Sequence, residues 1–113
     1  MSEFTFLFRG RKTFTSPEEA QQHTQQWLSW FKELGAHGLI KDPGHPLEGT
    51  GSVVRGSQKT VTDGPYAETK DVVGGYIIVE ARDLAHATEL SKGCPILEVN
   101  GCVEVRPVQK LSP

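Results

Sequence analysis

Two kinds of side chain in this 113-residue sequence could transfer protons: a carboxylate at a tight turn, and the histidines. The carboxylate belongs to Asp63, which opens the run Asp63-Gly64-Pro65-Tyr66. Asp-Gly and Gly-Pro steps together favour a sharp change of direction. The Asp63 carboxylate either accepts backbone N–H groups inside that turn or lies in a cleft as a base or ligand anchor. Both interpretations stay open, and we take Asp63 as the candidate base.

The histidines are candidates for a general acid and not for a metal site. They are His23, His37, His45 and His86, and no pair has the spacing of a zinc site. Because histidine titrates near neutrality, His45 in the glycine-rich loop could act as the acid opposite Asp63. An ordinary loop histidine is the alternative. Neither a phosphate-binding loop nor a nucleophile elbow is present, so we expect metal-free acid–base chemistry by Asp63 and His45 without a cofactor.

Other side chains are candidates for contact with a ligand, namely Tyr66, Glu68, Lys70, Arg106 and Trp27. Glu68 and Lys70 share a face if their segment is extended, although a solvated ion pair is the simpler interpretation. Arg106 could bind a carboxylate or phosphate bidentately. Alternatively, Arg106 and Glu104, which both leave the core face of the last strand, could belong to Arg–Glu pairs across the sheet or an interface. Trp27 could form a wall for a flat ligand, or it could only pack its helix.

Length and charge narrow the classes of function. A chain of 113 residues fits one domain, residues 1–113, and its 12 basic and 14 acidic residues give a net charge of -2. No third of the chain is basic, so we expect no nucleic-acid partner. No apolar run reaches the ~20 residues of a membrane-spanning helix, and no signal peptide is recognisable. Cys94 and Cys102 lack CxxC spacing, which favours reduced thiols in a cytoplasmic protein over a disulfide between them.

Hydrophobic periodicity predicts the elements that must position these residues. Phe4, Phe6 and Phe8 alternate on one face of a strand. Ser16 with Pro17 forms a typical helix start, and Glu19 is expected to complete a capping box. The remaining predictions follow the chain: a long irregular loop over 35–51, a hairpin of strands 52–55 and 58–62 with a two-residue turn at 56–57, a strand over 76–81, a short helix after Asp83 and a strand over 102–108.

This order of elements predicts an α+β, ferredoxin-like split βαβ sandwich, in which two helices cover one face of an antiparallel sheet. The second face carries apolar side chains as well, because Tyr76 and Ile78 lie opposite Ile77, and Leu7 lies opposite the phenylalanines. Exposed apolar surface of this kind is best covered by another subunit. We therefore expect a homodimer packed sheet against sheet; the alternative is that the long loop folds over this face.

One stretch carries a specific resemblance. Residues 62–71, Thr-Asp-Gly-Pro-Tyr-Ala-Glu-Thr-Lys-Asp, followed by Gly74-Gly75-Tyr76, resemble the signature of the YCII-related family and, more narrowly, its branch with an Asp-Gly-Pro-Phe motif. Residues 103–108 are similar to the closing strand of that branch. Tyr66 replaces the usual Phe, and Asp71 replaces the usual Glu. The resemblance spans nearly the whole chain and implies a ferredoxin-like dimer of the α/β-barrel type in a cytoplasmic, mostly bacterial protein.

The resemblance also implies two kinds of role. Some relatives are thought to be small-molecule enzymes with a catalytic His and Asp, and one is a dehydrochlorinase acting on a chlorinated hydroxyquinol. By this register the helical histidine of those relatives falls at Trp27, with His23 one turn earlier. We expect a small organic molecule to bind near the signature and the dimer seam, with cofactor-free lyase or isomerase chemistry. The alternative, which the departure at Trp27 favours, is a non-catalytic regulatory or binding module linked to an extracytoplasmic-function sigma-factor system.

Overall fold

The computed structural model describes residues 1–10, 13–67 and 71–111. The secondary structure within these ranges consists of β1 (Ser2–Arg9), α1 (Pro17–Ala36), β2 (Ile40–Pro46), β3 (Gly51–Arg55), β4 (Thr60–Gly64), β5 (Val73–Ala81), α2 (Leu84–Ser91), a 3-10 helix (Pro95–Val99) and β6 (Cys102–Pro107). Four strands form one antiparallel sheet in the order β2-β5-β1-β6, and β3 pairs with β4 separately. Without the β3-β4 hairpin, the chain runs β-α-β-β-α-β in the ferredoxin-like order. The expected fold class is therefore confirmed.

The core lies between the helices and one face of the sheet. Phe4, Phe6 and Phe8 point inward from β1 and are almost fully buried, as the period of two predicts. The inward-facing residues of β5 continue this layer, and Trp30 stacks on Phe6 with ring centroids 6.2 Å apart. Helix α2 adds Ala87, which is fully buried. Both helices thus cover the same face and leave the other one open.

The helix starts are set by side-chain caps. The Ser16 hydroxyl accepts the Glu19 backbone N–H at 3.1 Å, and Pro17 occupies the first turn of α1. The Glu19 carboxylate does not complete the expected capping box; it accepts the Thr15 hydroxyl at 2.8 Å. At α2 the Asp83 carboxylate accepts the His86 N–H at 2.8 Å. These caps fix where each helix begins relative to the sheet.

The segment expected to be an irregular loop contains an edge strand, so that prediction is wrong for residues 40–46. Strand β2 pairs with β5 through the backbone, with irregularities between Ile40 and Asp42 and between Asp42 and His45. It includes Pro43 and Pro46, which an edge strand tolerates because only one of its sides takes part in the ladder. The prolines and a glycine interrupt the alternation of apolar and polar side chains, so the sequence pattern did not predict this strand.

The hairpin exists, but its turn and its place in the fold differ from expectation. Arg55 pairs with Thr60, so four residues, 56–59, form the turn in place of two. Gly56 and Lys59 both have positive φ there. Asp63 and Gly64 continue β4 and do not form a turn within it. The two strands form a sheet of their own, apart from the four-stranded sheet. The Cα radius of gyration is 15.8 Å, which exceeds the ~13 Å of a compact chain of this length.

In the part of the chain that the structure describes, no helix combines the length and the apolar character needed to cross a membrane. The two cysteines are both free thiols, with Cys94 buried and Cys102 exposed. Burial raises the pKa of the Cys94 thiol to about 12, which keeps it protonated at neutral pH.

Strand β2 depends on a close backbone contact at Gly44. A Cβ on Gly44 would overlap the Tyr76 carbonyl oxygen, and its φ of +57° is in the left-handed region. Gly38 has a φ of +67° but open space around it, so it is a matched control. We expect Gly38→Ala to lower the free energy of unfolding by about 1–2 kcal/mol. Gly44→Ala should cost a further ~1–3 kcal/mol from overpacking. Urea unfolding measures both values, and equal losses would contradict this account of β2.

Candidate functional site

An apolar cleft lies between α1 and the end of the sheet where β1, β2 and β5 meet. Its volume is about 460 Å³, within the range of small-molecule sites. The residues lining it come from β1 and the segment after it, from α1, from β2 and β5, and from the 3-10 helix and the glycine that follows it. They are Phe8, Gly10, Phe14, His23, Thr24, Trp27, Leu28, Phe31, Pro43, His45, Pro46, Gly74, Gly75, Tyr76, Ile77, Ile96, Val99 and Gly101.

Aromatic rings form the inner wall. Trp27 packs edge-on against Phe8 with ring centroids 4.8 Å apart, and it lies 5.6 Å from Phe31. Trp30, behind it, is buried in the core, whereas Trp27 is only half-buried. Helical spacing explains the arrangement, because residues three and four apart share one side of α1. The result is a rigid, flat-sided wall that suits planar ligands through ring stacking.

His23 is the polar group of this wall. The Trp27 indole Nε1–H donates to His23 Nε2 at 2.8 Å, and the Phe14 ring lies 5.1 Å from the imidazole. Partial burial lowers the pKa of His23 below its usual 6.5, because desolvation disfavours the charged ring. A hydrogen bond with the Gln26 side chain acts in the opposite direction and raises that pKa. The net direction is downward, so His23 is neutral at neutral pH.

His45 lies at the open edge of the cleft, on β2. It is exposed, and its ring centroid is 6.4 Å from that of Tyr76, its register partner on β5. Two glycines bring β2 close to β5 here. A Cβ on Gly75 would lie 3.2 Å from the His45 carbonyl oxygen, and Gly44 faces the Tyr76 carbonyl on the other side. The backbone thus holds His45 where the cleft meets solvent.

The end of the resembling stretch forms part of the cleft. Gly74, Gly75 and Tyr76 line it, and the Leu47 N–H donates to the Gly74 carbonyl at 2.8 Å. Arg9 holds the preceding segment in place, because its guanidinium donates to the Asp71 carbonyl at 2.7 Å and to Glu104 at 2.8 Å. Glu104 on β6 therefore forms an Arg–Glu pair across the sheet with Arg9 on β1.

The structure brings together two of the residues proposed from sequence, His45 and Trp27, which both line the cleft. Asp63 lies elsewhere, exposed on β4 and in register with Ser52 of the hairpin. Its role as the base stays a prediction, without support from a shared cavity. The reason for its position is that β4 pairs with β3 and not with the main sheet.

Two further candidates, Tyr66 and Arg106, do not line this cleft. Tyr66 is 74% exposed, and the Arg55 guanidinium carbon lies 4.9 Å above its ring. Arg106 is exposed on β6, in register with Thr5. Glu68 and Lys70 lie outside the described residues. Within residues 1–10, 13–67 and 71–111, no group of three or more His, Cys, Asp or Glu side chains is placed to hold a metal ion.

Reasoning from sequence missed His23 as a member of the site. A signal was present, because His23 and Trp27 are four residues apart and therefore neighbours on a helix. Phe14 and Leu28 were missed as well; Leu28 is 61% exposed although it lies in the lining. No local sequence pattern indicates that Phe14 belongs to the site. Its contact with His23 depends on the path of the chain just before α1.

The comparisons with known proteins agree with the fold. The family model of the YCII-related domain matches residues 3–112. Among solved structures, the chain is similar to 5-chloro-2-hydroxyhydroquinone dehydrochlorinase (TftG) from Burkholderia phenoliruptrix AC1100, in a complex with 2,5-dihydroxybenzoquinone. The sequence identity is 16% and the TM-score 0.54, over 95% of this chain and 93% of that one. At this low sequence identity, the similarity supports a shared fold and nothing further. The comparison with curated proteins gave no match.

The lowered pKa of His23 predicts a pH dependence of stability. Because the unfolded chain binds the proton more readily, the free energy of unfolding should fall as pH drops through 6.5 and level off below the folded pKa. Urea unfolding between pH 8 and 5 should therefore show a smaller loss in His23→Gln than in the parent chain. Titration of the imidazole Cε1–H by NMR should place the midpoint below 6.5. A midpoint above that value would refute the assignment.

Proposed function

This chain belongs to the YCII-related family, and from that membership and the aromatic cleft we propose that it binds a small, flat organic molecule between α1 and the sheet. The observation that carries the proposal is the lining itself, because Phe8, Trp27 and Phe31 offer ring faces and edges around a cleft of about 460 Å³. Within the family, residues 62–71 support placement in the branch with the Asp-Gly-Pro-Phe motif.

The structural neighbour supports the choice of ligand class. That protein is named a dehydrochlorinase of a hydroxylated, chlorinated ring, and it was solved with 2,5-dihydroxybenzoquinone. We propose a ligand of the same general shape for this chain: one planar ring with oxygen substituents. A molecule of this size fits a pocket at the small end of the usual range, and its oxygens would lie near the two histidines of the lining.

For the chemistry, we propose proton transfer by His45, of the elimination or isomerisation type and without a cofactor. His45 lies where the cleft opens to solvent, so it can exchange its proton with water between turnovers. A second candidate is non-catalytic binding, as in a regulatory module linked to a sigma-factor system. The observation that favours it is the mostly apolar lining, in which few groups titrate.

We also propose that the chain is a homodimer packed through the outer face of its sheet. Leu7, Tyr76 and Ile78 lie on that face and are only partly buried. Register places Asp42, Ile78, Thr5 and Arg106 in one row across the four strands, with opposite charges at its two ends.

A two-fold axis parallel to the strands would set Arg106 of each copy against Asp42 of the other, which makes the face complementary to itself. His45 and Tyr76 form the neighbouring pair in the β2-β5 ladder, and both also line the cleft. The open edge of the cleft would therefore adjoin the seam of the dimer.

The ligand proposal predicts that a charge placed in the lining weakens binding. Leu28→Asp puts a carboxylate beside the aromatic wall, and Leu84→Asp is its matched control, because Leu84 is also exposed, at 49%, but lies on α2 outside the cleft. With 2,5-dihydroxybenzoquinone as the probe, we expect Leu28→Asp to raise the dissociation constant at least about tenfold. Leu84→Asp should leave it unchanged. Quenching of tryptophan fluorescence measures both.

Equal affinities in the two variants, or no binding by the parent chain, would contradict the ligand proposal. The two candidate functions separate in the same experiment. Turnover of the bound ring that is lost in His45→Gln and kept in Asp63→Asn would support proton transfer by His45. Turnover lost in Asp63→Asn would restore Asp63 as the base. Binding without any turnover would support the non-catalytic candidate.

The dimer proposal predicts an effect of charge reversal. Arg106→Asp should raise the dimer dissociation constant about tenfold, because two symmetric pairs turn repulsive. Adding Asp42→Lys should restore association. Since the Asp42 carboxylate also accepts the Gly44 N–H at 2.8 Å, Asp42→Lys alone measures that local cost. Light scattering after size exclusion reports the mass, and a parent chain that stays monomeric at all concentrations would refute the dimer.

A further inference from the structure

We propose that Trp27 holds His23 as the neutral imidazole with its proton on Nδ1, so that His23 offers the cleft a hydrogen-bond donor and the ligand presents an acceptor oxygen to it. The statement about the proton concerns the protein alone. The statement about the ligand rests on the proposed function, since it requires that the cleft bind a small molecule.

The first support is the direction of the bond between the two side chains. An indole N–H can only donate, so at 2.8 Å from Trp27 Nε1 the His23 Nε2 must supply a lone pair. A neutral imidazole has one donor and one acceptor nitrogen, and the proton is therefore on Nδ1. The two residues are four apart on α1, which puts one above the other on a rigid helix.

The second support is that Trp27 cannot easily turn away. Its ring packs edge-on against Phe8 and Trp30, with centroids 4.8 and 5.8 Å away, and lies tilted against Phe31 at 5.6 Å. Phe8 is itself almost fully buried in the core. The donor is thus fixed by packing before any ligand arrives, which is what a preorganised site requires.

This arrangement decides what His23 can do chemically. Its basic nitrogen is occupied by Trp27, so it does not act as a general base while that bond holds. Its Nδ1–H can polarise a carbonyl or stabilise an enolate or phenolate oxygen. An apolar lining strengthens such a bond, because the local dielectric constant is low. Proton transfer is left to His45 at the open edge.

The same chain contains an internal control with the opposite geometry. His86 Nδ1 accepts the Arg82 backbone N–H at 3.1 Å, which requires its proton to be on Nε2. Two helical histidines in one protein should therefore show opposite tautomers. Any change in buffer or temperature would act on both, so the contrast between them reports the local hydrogen bonds.

The first experiment measures the tautomers directly in the full chain without ligand. Two-bond ¹H–¹⁵N correlation spectra at pH 7.5 distinguish the protonated nitrogen of each ring by its chemical shift. We expect Nδ1–H for His23 and Nε2–H for His86. Trp27→Phe keeps an aromatic ring but lacks the donor, and it should move His23 toward the Nε2–H form while leaving His86 unchanged. An Nε2–H form of His23 in the parent chain would overturn the proposal.

The second experiment tests the ligand with two probes of matched shape, 1-indanone and its hydrocarbon indane. Only the ketone carries an acceptor, so the parent chain should bind it roughly threefold to tenfold more tightly. In Trp27→Phe this ratio should fall to about one. Equal binding of both probes by the parent chain would overturn the inference and leave the proposed function standing. Binding of neither would refute the proposed function, while the nitrogen shifts still decide the state of His23.

Discussion

The open edge of the cleft depends on how closely β2 approaches β5. A side chain on Gly44 would overlap the Tyr76 carbonyl, and one on Gly75 would lie 3.2 Å from the His45 carbonyl oxygen. Only backbone fits on both sides of this contact. The strands can therefore pair across the bulges of β2, and His45 is placed by main-chain geometry and not by packing of its own ring. A loop at the same point would leave the cleft without a defined edge.

The parts of the fold that were predictable from sequence are those in which side chains decide the structure. The alternation of Phe4, Phe6 and Phe8 predicted β1 and its buried face, and Ser16 predicted the start of α1. Strand β2 was not predicted, because its stability comes from backbone pairing at an edge and its apolar and polar residues do not alternate. The turn of the hairpin was misjudged because Lys59 takes a positive φ, which sequence propensity does not favour.

The candidate site was predictable only where a residue's role follows from its own element. Trp27 lies on the helical stripe facing the sheet, as the apolar spacing of α1 indicated. His45 was expected in a loop and lies on β2, next to a glycine that brings two strands together. At Asp63, the turn chemistry of Asp-Gly suggested a bend where β4 continues. Long-range pairing determines whether an extended segment joins the main sheet, and the residues of the segment alone do not predict that pairing.

The composition of the cleft determines which part of a ligand it can recognise. Burial of apolar surface contributes about 25 cal/mol per Å², and it favours any flat ring of suitable size over water without choosing among such rings. Thr24 adds little selectivity, because its hydroxyl already donates to the Ala20 carbonyl at 3.1 Å. A donor that a bound ligand covers without offering an acceptor costs about 1–3 kcal/mol. The apolar wall therefore accepts many flat rings, whereas the donor of His23 selects ligands that place a hydrogen-bond acceptor next to it.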